Sequence, residues 1–353
     1  MFKKRFENLP ESLHGDEVFR LGEDVLDFSS NVNPLGPSEK VLNFLRKVDR
    51  KFIYRYPDSE SQKLRKAISE HFDLDGKRII VTSGSLELLR LTCDLFSGEG
   101  KVLIPIPTFS EYERQSILYG KTPIFLKDKG ISEILERVGD ECKMIFLCNP
   151  NNPTGKLLER KKICELSEEV QRKKVLVFLD EAFIEFTDEK SLISENYENL
   201  IVSRSMTKLY GLAGLRCGFG IASLKVSKYL RKLIPPWNVS GIAQKAAVVA
   251  LSDENHTKKT LKLISKEKEY LLKSYLKLGL ETKKPFANFF FIDLHDVSSR
   301  ILKKKMLERG ILIRDCSSIR GCGERYVRLS VKKRSENKKM LSTFKKVLEE
   351  LHG

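Results

Sequence analysis

The chain has 353 residues, 41% of them hydrophobic, and a formal net charge of +16. That length supports a large core, with one large domain and a smaller one attached, and the longest apolar runs are too short to span a bilayer. Seven cysteines without a CxxC pair, and five histidines without ligand spacing, point to reduced thiols and away from a disulfide framework or a metal site.

The opening Met1-Phe2-Lys3-Lys4-Arg5-Phe6-Glu7 is charged and has no apolar run behind it, so no signal peptide is expected and a cytoplasmic protein fits. Residues 1–40 read as a loop-rich arm. Arg78-Ile79-Ile80-Val81 reads as a strand, with a helix from about Leu86 to Phe96. Between them Thr82-Ser83-Gly84-Ser85-Leu86-Glu87 is a small-residue turn whose amides could meet an anion at a helix N-terminus. An ordinary capping turn would use the same serines. Lys101-Val102-Leu103-Ile104 is the next strand, followed by Pro105-Ile106-Pro107-Thr108-Phe109-Ser110-Glu111-Tyr112. Phe109 there is placed to stack on a flat ring, unless it is simply core.

Met144-Ile145-Phe146-Leu147 and Val175 to Leu179 are two further strands, with a helical pattern from Glu159 to Lys173 between them. The first runs into Asn149-Pro150-Asn151-Asn152-Pro153-Thr154-Gly155, a rigid turn. The second ends on Asp180, an acid that directly follows five apolar residues and so needs a partner. Continuous apolar strands separated by amphipathic helices indicate a mostly parallel sheet covered on both faces, with ligands at the carboxyl ends of its strands.

Asn199-Leu200-Ile201-Val202 leads into Ser203-Arg204-Ser205-Met206-Thr207-Lys208-Leu209-Tyr210-Gly211-Leu212-Ala213-Gly214-Leu215-Arg216. Here a lysine that could form a Schiff base with an aldehyde lies among hydroxyls, glycines and an arginine suited to phosphate. Together these point to pyridoxal phosphate, and Asp180 then has a partner in the pyridine nitrogen, which a carboxylate keeps protonated.

From Glu254 to Leu278 a charged amphipathic helix connects to a last α+β unit. That unit holds Asn288-Phe289-Phe290-Phe291-Ile292, a helix near Val297 to Glu308, Ile311-Leu312-Ile313-Arg314, Tyr326-Val327-Arg328-Leu329-Ser330-Val331 and a terminal helix. Arg314 and Arg328 lie inside β-like runs, where an arginine fork suits a carboxylate or phosphate if it does not merely face water. The lysines are dispersed along helices such as Lys258 to Lys277, and the longest like-charge run is Lys303-Lys304-Lys305. This favours a solvated surface and a small phosphorylated substrate over nucleic acid or membrane.

The series Asn152-Pro153-Thr154-Gly155, Asp180, Ser205-x-Thr207-Lys208, Arg216 and Arg328 resembles the fold-type I pyridoxal phosphate enzymes of the class I/II aminotransferase group, over nearly the whole chain. The resemblance implies an α/β, PLP-dependent transferase-like fold: an arm over 1–40, a large cofactor-binding domain over 41–260 and a small α+β domain over 261–353. It implies that Lys208 is the Schiff-base lysine, that Asp180 pairs with the pyridine nitrogen, and that Asn152 contacts the ring's phenolic oxygen. Ser83, Gly84, Ser85, Ser205, Thr207 and Arg216 would hold the cofactor phosphate, and Phe109 would stack on the ring. Tyr56, in Arg55-Tyr56-Pro57-Asp58, resembles the tyrosine that reaches a neighbouring subunit's phosphate, so a homodimer is implied.

Two branches of the group compete: threonine-phosphate decarboxylase, of cobalamin biosynthesis, and histidinol-phosphate aminotransferase. Leu26 to Gly36 and Asp180-Glu181-Ala182-Phe183-Ile184-Glu185-Phe186 are similar to the decarboxylase, and His14-Gly15 resembles the start of its histidine–glycine–glycine motif, with Asp16 in place of the last glycine. Pro236-Trp237-Asn238-Val239-Ser240 is similar to it as well, while Ile313-Arg314-Asp315-Cys316-Ser317 is shared by both branches. The aminotransferases usually carry tyrosine where Phe183 stands. On the decarboxylase pattern His14, Gly15, Asn31, Asn152, Arg314 and Arg328 would bind phosphothreonine, Arg328 taking the carboxylate and Arg314, with His14 and Asn31, the phosphate.

Overall fold

The computed structural model describes residues 7, 9–10, 17–22, 24–96, 98–127 and 130–352. Its strands, in chain order, are β1 (Leu26–Asp27), β2 (Ile79–Thr82), β3 (Lys101–Ile106), β4 (Thr122–Lys127), β5 (Cys142–Cys148) and β6 (Leu176–Asp180). They continue with β7 (Leu200–Ser205), β8 (Gly218–Ala222), β9 (Phe289–Asp293), β10 (Ile311–Leu312), β11 (Arg314–Asp315) and β12 (Tyr326–Ser330).

Seven strands form one sheet in the order β2-β8-β7-β6-β5-β3-β4. All its pairings are parallel except those of β8, which runs antiparallel to both β2 and β7. Alternate residues of each strand point to opposite faces, and each face has its own core. Val81, Leu103, Ile145, Val177, Leu179 and Val202 belong to one apolar cluster, while Ile80, Val102, Met144, Phe146, Phe178 and Ile201 belong to the other. Helices cover both, as the unbroken apolar strands require.

β8 is a strand that apolar runs do not reveal, because Gly218-Phe219-Gly220 weakens the pattern. The glycines have a packing reason. A Cβ on Gly220 would run into the Leu88 side chain, and one on Gly218 would sit 2.8 Å from the Ser85 amide nitrogen. Their absence lets the helix Ser85–Asp94 lie directly on the sheet with its N-terminus at the carboxyl edge of β2.

The 24-residue helix Glu254–Lys277 leads to a second, antiparallel sheet, β11-β12-β9, backed by the helices Ser299–Leu307 and Arg334–His352. The expected strand over 311–314 is divided: Leu26 and Asp27 of β1 pair in parallel with Ile311 and Leu312, whereas Arg314 pairs with Arg328. The backbone thus changes partner at Ile313, and the N-terminal segment is stitched to the C-terminal unit. Among the described residues no helix is long and apolar enough to cross a membrane, and no cluster of His, Cys, Asp and Glu could hold a metal ion.

Candidate active site

β6, β7 and the turn after β5 end side by side, in register Cys148–Asp180–Ser203. Beyond that row lie the residues singled out by the sequence. Lys208 sits in the turn after β7, its Nζ 5.6 Å from the Phe183 ring centre. Burial, then the positive charges of Arg328 and Arg216, lower its amine to about 8, against the pull of Asp180. An amine with that value is neutral, and therefore nucleophilic, in mildly basic solution.

Asp180 is buried, and desolvation raises its carboxyl above the ordinary range in spite of two donors. Tyr112 Oη–H donates to its Oδ2 at 2.9 Å, and the Ala182 amide donates to its Oδ1 at 3.1 Å. The charge of Lys208 also pulls the carboxyl down, yet burial outweighs it and both donors, and a protonated pyridine nitrogen would add a further countercharge. Tyr112 was not singled out by the sequence as a site residue. Its signal is its position: it lies in the first turn of the helix Glu111–Leu118, three residues after Phe109, and its ring meets Phe109 edge-on at 5.6 Å and stacks on Phe146 at 5.0 Å.

The expected phosphate holders converge at the other end. Thr82, Gly218 and Ser205 occupy one row across β2, β8 and β7. Ser205 and Thr207 share a hydrogen bond of 2.8 Å between their hydroxyls. Gly84 has φ +76°, and a Cβ there would lie 2.7 Å from Arg216 Nη2, so the glycine lets the guanidinium close over the turn. The Ser83 amide donates to Glu87 and the Gly84 amide to the Thr82 carbonyl, whereas the Ser85 amide has no acceptor among the described residues. It lies at a helix N-terminus, where an anion is favoured.

Arg328 projects from β12 toward the same space. Its Nη1 donates to Asn152 Oδ1 at 2.5 Å and its Nη2 to the Ser29 carbonyl at 2.6 Å. The Asn31 side-chain oxygen, turned to face it, accepts from Nε at 3.3 Å and Nη1 at 3.2 Å. With its oxygen engaged, Asn152 keeps an amide N–H pair for another acceptor, as a phenolic oxygen would be. Burial lowers Arg328 to about 10. Arg314 is its direct cross-strand partner. The charge of Arg314 helps lower Arg328, and each guanidinium fork has the geometry for a carboxylate or phosphate. His14 and Gly15 lie outside the described residues. Tyr56 stands apart: it is exposed, on the molecular surface, stacked on Trp237 at 4.3 Å.

A buried lysine of lowered basicity, a buried acid held by Tyr112, and hydroxyls, a small-residue turn and Arg216 gathered where β2, β8 and β7 lie side by side are the parts a pyridoxal phosphate enzyme needs. Residues 23–344 match the family model described as aminotransferase class I and II, and the chain belongs to that family. The chain is 32% identical to a histidinol-phosphate aminotransferase of Methanosarcina mazei, covering 98% of this chain and 96% of the relative. It is 33% identical to a protein of Caldanaerobacter subterraneus subsp. tengcongensis provisionally named a threonine-phosphate decarboxylase, covering 98% and 97%. In fold it matches a Sinorhizobium meliloti histidinol-phosphate aminotransferase solved with pyridoxal-5'-phosphate, with TM-score 0.91, 22% identity, and coverage of 99% and 98%. Pyridoxal phosphate is accordingly the cofactor.

Proposed function

We propose that the chain decarboxylates O-phospho-L-threonine to (R)-1-aminopropan-2-yl phosphate, a step of cobalamin biosynthesis. The observation that carries this reading is Phe183, buried where the aminotransferases usually carry tyrosine, with Asn31 of the N-terminal segment set against Arg328; the Arg314–Arg328 pair, which both branches share, would supply the anion holders. Two guanidiniums suit a short substrate with an anion at each end, a carboxylate and a phosphate. In this reading Arg328 binds the carboxylate, and Arg314, with His14 and Asn31, binds the phosphate. The Phe183 ring is buried against Phe289 at 5.2 Å and offers no hydroxyl.

The bound cofactor supplies an electron sink for the bond broken at the substrate's α-carbon. Asp180 Oδ atoms keep the proton on the ring nitrogen, and Tyr112 holds that carboxylate in place. Asn152 binds the phenolic oxygen through its free amide N–H. The hydroxyls of Ser83, Ser205 and Thr207, the Ser85 amide and Arg216 would bind the cofactor phosphate, Gly84 would make the room that lets Arg216 close over it, and Phe109 would cover the ring. Lys208 takes up or releases a proton at Nζ, as its lowered basicity permits. The arginines would decide which bond breaks, by the direction in which they hold the substrate's carboxylate: one direction would favour loss of the carboxylate and another loss of the Cα–H, as in amino transfer.

The same reading divides the chain into an arm over 1–40, a cofactor domain over 41–260 and a small domain over 261–353. It pairs two copies through Tyr56. Ile53, Tyr54, Tyr56 and Trp237 are 75%, 62%, 79% and 49% exposed, an apolar set that a second subunit would cover.

The second reading, amino transfer from histidinol phosphate to 2-oxoglutarate, is favoured by the name of the Methanosarcina relative. Purified enzyme given phosphothreonine, and separately histidinol phosphate with 2-oxoglutarate, distinguishes them. Carbon dioxide from the first is expected. Glutamate from the second, with no decarboxylation of the first, would overturn the proposal.

A further inference from the structure

Glu87 presents an electrostatic puzzle. It lies in the first turn of the helix Ser85–Asp94, beside the turn assigned above to a phosphate dianion. A carboxylate there repels the ligand, so it needs another use. Its Oε2 accepts from the Ser83 amide at 2.6 Å and from Asn238 Nδ2 at 2.7 Å. Asn238 Nδ2 also reaches the Val81 carbonyl, at 3.3 Å, in β2. Asn238 follows Trp237, which has φ +59° and carries the Tyr56 stack.

One carboxylate oxygen therefore ties together two segments remote in sequence. On one side is the 82–85 turn, and on the other the 236–238 segment that backs Tyr56. Removing the Ser83 amide from the cup also fixes the rotation of the turn. Gly84 stays under Arg216, and the Ser85 amide is the one left for an anion.

We propose that Glu87 is the positioning residue of the cofactor-phosphate cup, acting through Ser83 and Asn238 without touching the cofactor. This rests on the assignment of the 82–85 turn and Arg216 to the phosphate. Its signature is selectivity for the phosphate group. A cup out of shape weakens pyridoxal phosphate but leaves pyridoxal, which has no phosphate, almost unaffected.

The test is equilibrium binding of pyridoxal phosphate and of pyridoxal to the apoprotein, read by absorbance, for the native chain, Glu87→Ala, Glu87→Gln and Arg216→Ala. Glu87→Ala should weaken pyridoxal phosphate by about tenfold or more, the worth of a hydrogen bond to a charged group, and pyridoxal by less than about twofold. Glu87→Gln keeps an oxygen for the Ser83 amide and should recover most of the loss. Unchanged pyridoxal phosphate affinity in Glu87→Ala would overturn the proposal, and so would equal losses for both ligands in Glu87→Ala and Glu87→Gln. Failure of the underlying assignment looks different: the native chain would bind both ligands alike, and Arg216→Ala would show no phosphate-selective loss.

Discussion

Lys208 illustrates how one side chain takes its chemistry from its neighbours. Its amine is lowered from 10.5 to about 8, first by burial and then by Arg328 and Arg216. The same cations that wait for anions thus make the lysine a better nucleophile. The sign follows directly: below about 8 the amine is protonated and cannot attack an aldehyde, and above it the amine is free. The rate at which apoprotein captures pyridoxal phosphate should therefore rise with pH about a midpoint near 8. Stopped-flow absorbance across pH 6 to about 11 measures it. A midpoint near 10.5, the unperturbed value, would mean that burial and the two arginines do not act on Nζ. Lys208, Asp180 and Arg216 were legible in the sequence because each stands out against its local pattern. Tyr112 and Glu87 were not, because a tyrosine on a helix and a glutamate in a helix's first turn look ordinary until their partners, Asp180 and Asn238, are brought to them by long-range folding.

At the scale of elements, glycines in β8 set where the helix Ser85–Asp94 can lie. Gly220 meets Leu88, and Gly218 meets the Ser85 amide. A methyl group at Gly220 would overlap Leu88 and push the helix, whose N-terminus follows the 82–85 turn. Gly220→Ala should cost about 1–3 kcal/mol by overpacking. Chemical denaturation would read it as a lower midpoint with an unchanged slope. Gly139→Ala is the control: a Cβ there has nothing within 4 Å and the backbone is not left-handed, so about 0.5 kcal/mol or less is expected. Equal effects at the two sites would contradict the packing account. The central parallel strands β3, β5, β6 and β7 were readable as mainly apolar runs of four or five residues. β4 and β8 were not, since Thr122-Pro123 and the paired glycines interrupt the pattern that buried strands show. The strand expected over 311–314 was seen but not its division, because the change of partner at Ile313 depends on β1, whose two residues are too few to read.

For the whole molecule, the site is assembled from segments that no local reading joins. The N-terminal segment reaches Arg328 through Ser29 and Asn31, after β1 has bound it to β10 of the C-terminal unit. The large sheet contributes Asp180 and the turns that carry Lys208 and Asn152. Between the sheet and its covering elements a buried charge cluster fixes the turn after β6: Arg204 binds Glu185 at 2.7 Å and lies 3.8 Å from Glu181. In the proposed reading such an arrangement would set the directions from which Arg314 and Arg328 hold the substrate's anions, and that direction, more than any single group, would select between decarboxylation and amino transfer.

The most direct test follows the carboxylate itself. Enzyme loaded with pyridoxal phosphate is given O-phospho-L-threonine labelled at the carboxyl carbon, with no keto acid present. The account predicts that the label leaves as carbon dioxide, with an equal amount of 1-aminopropan-2-yl phosphate formed and the original Cα–H retained. Label kept in a phosphorylated keto acid, with the cofactor left in its amine form, would contradict it.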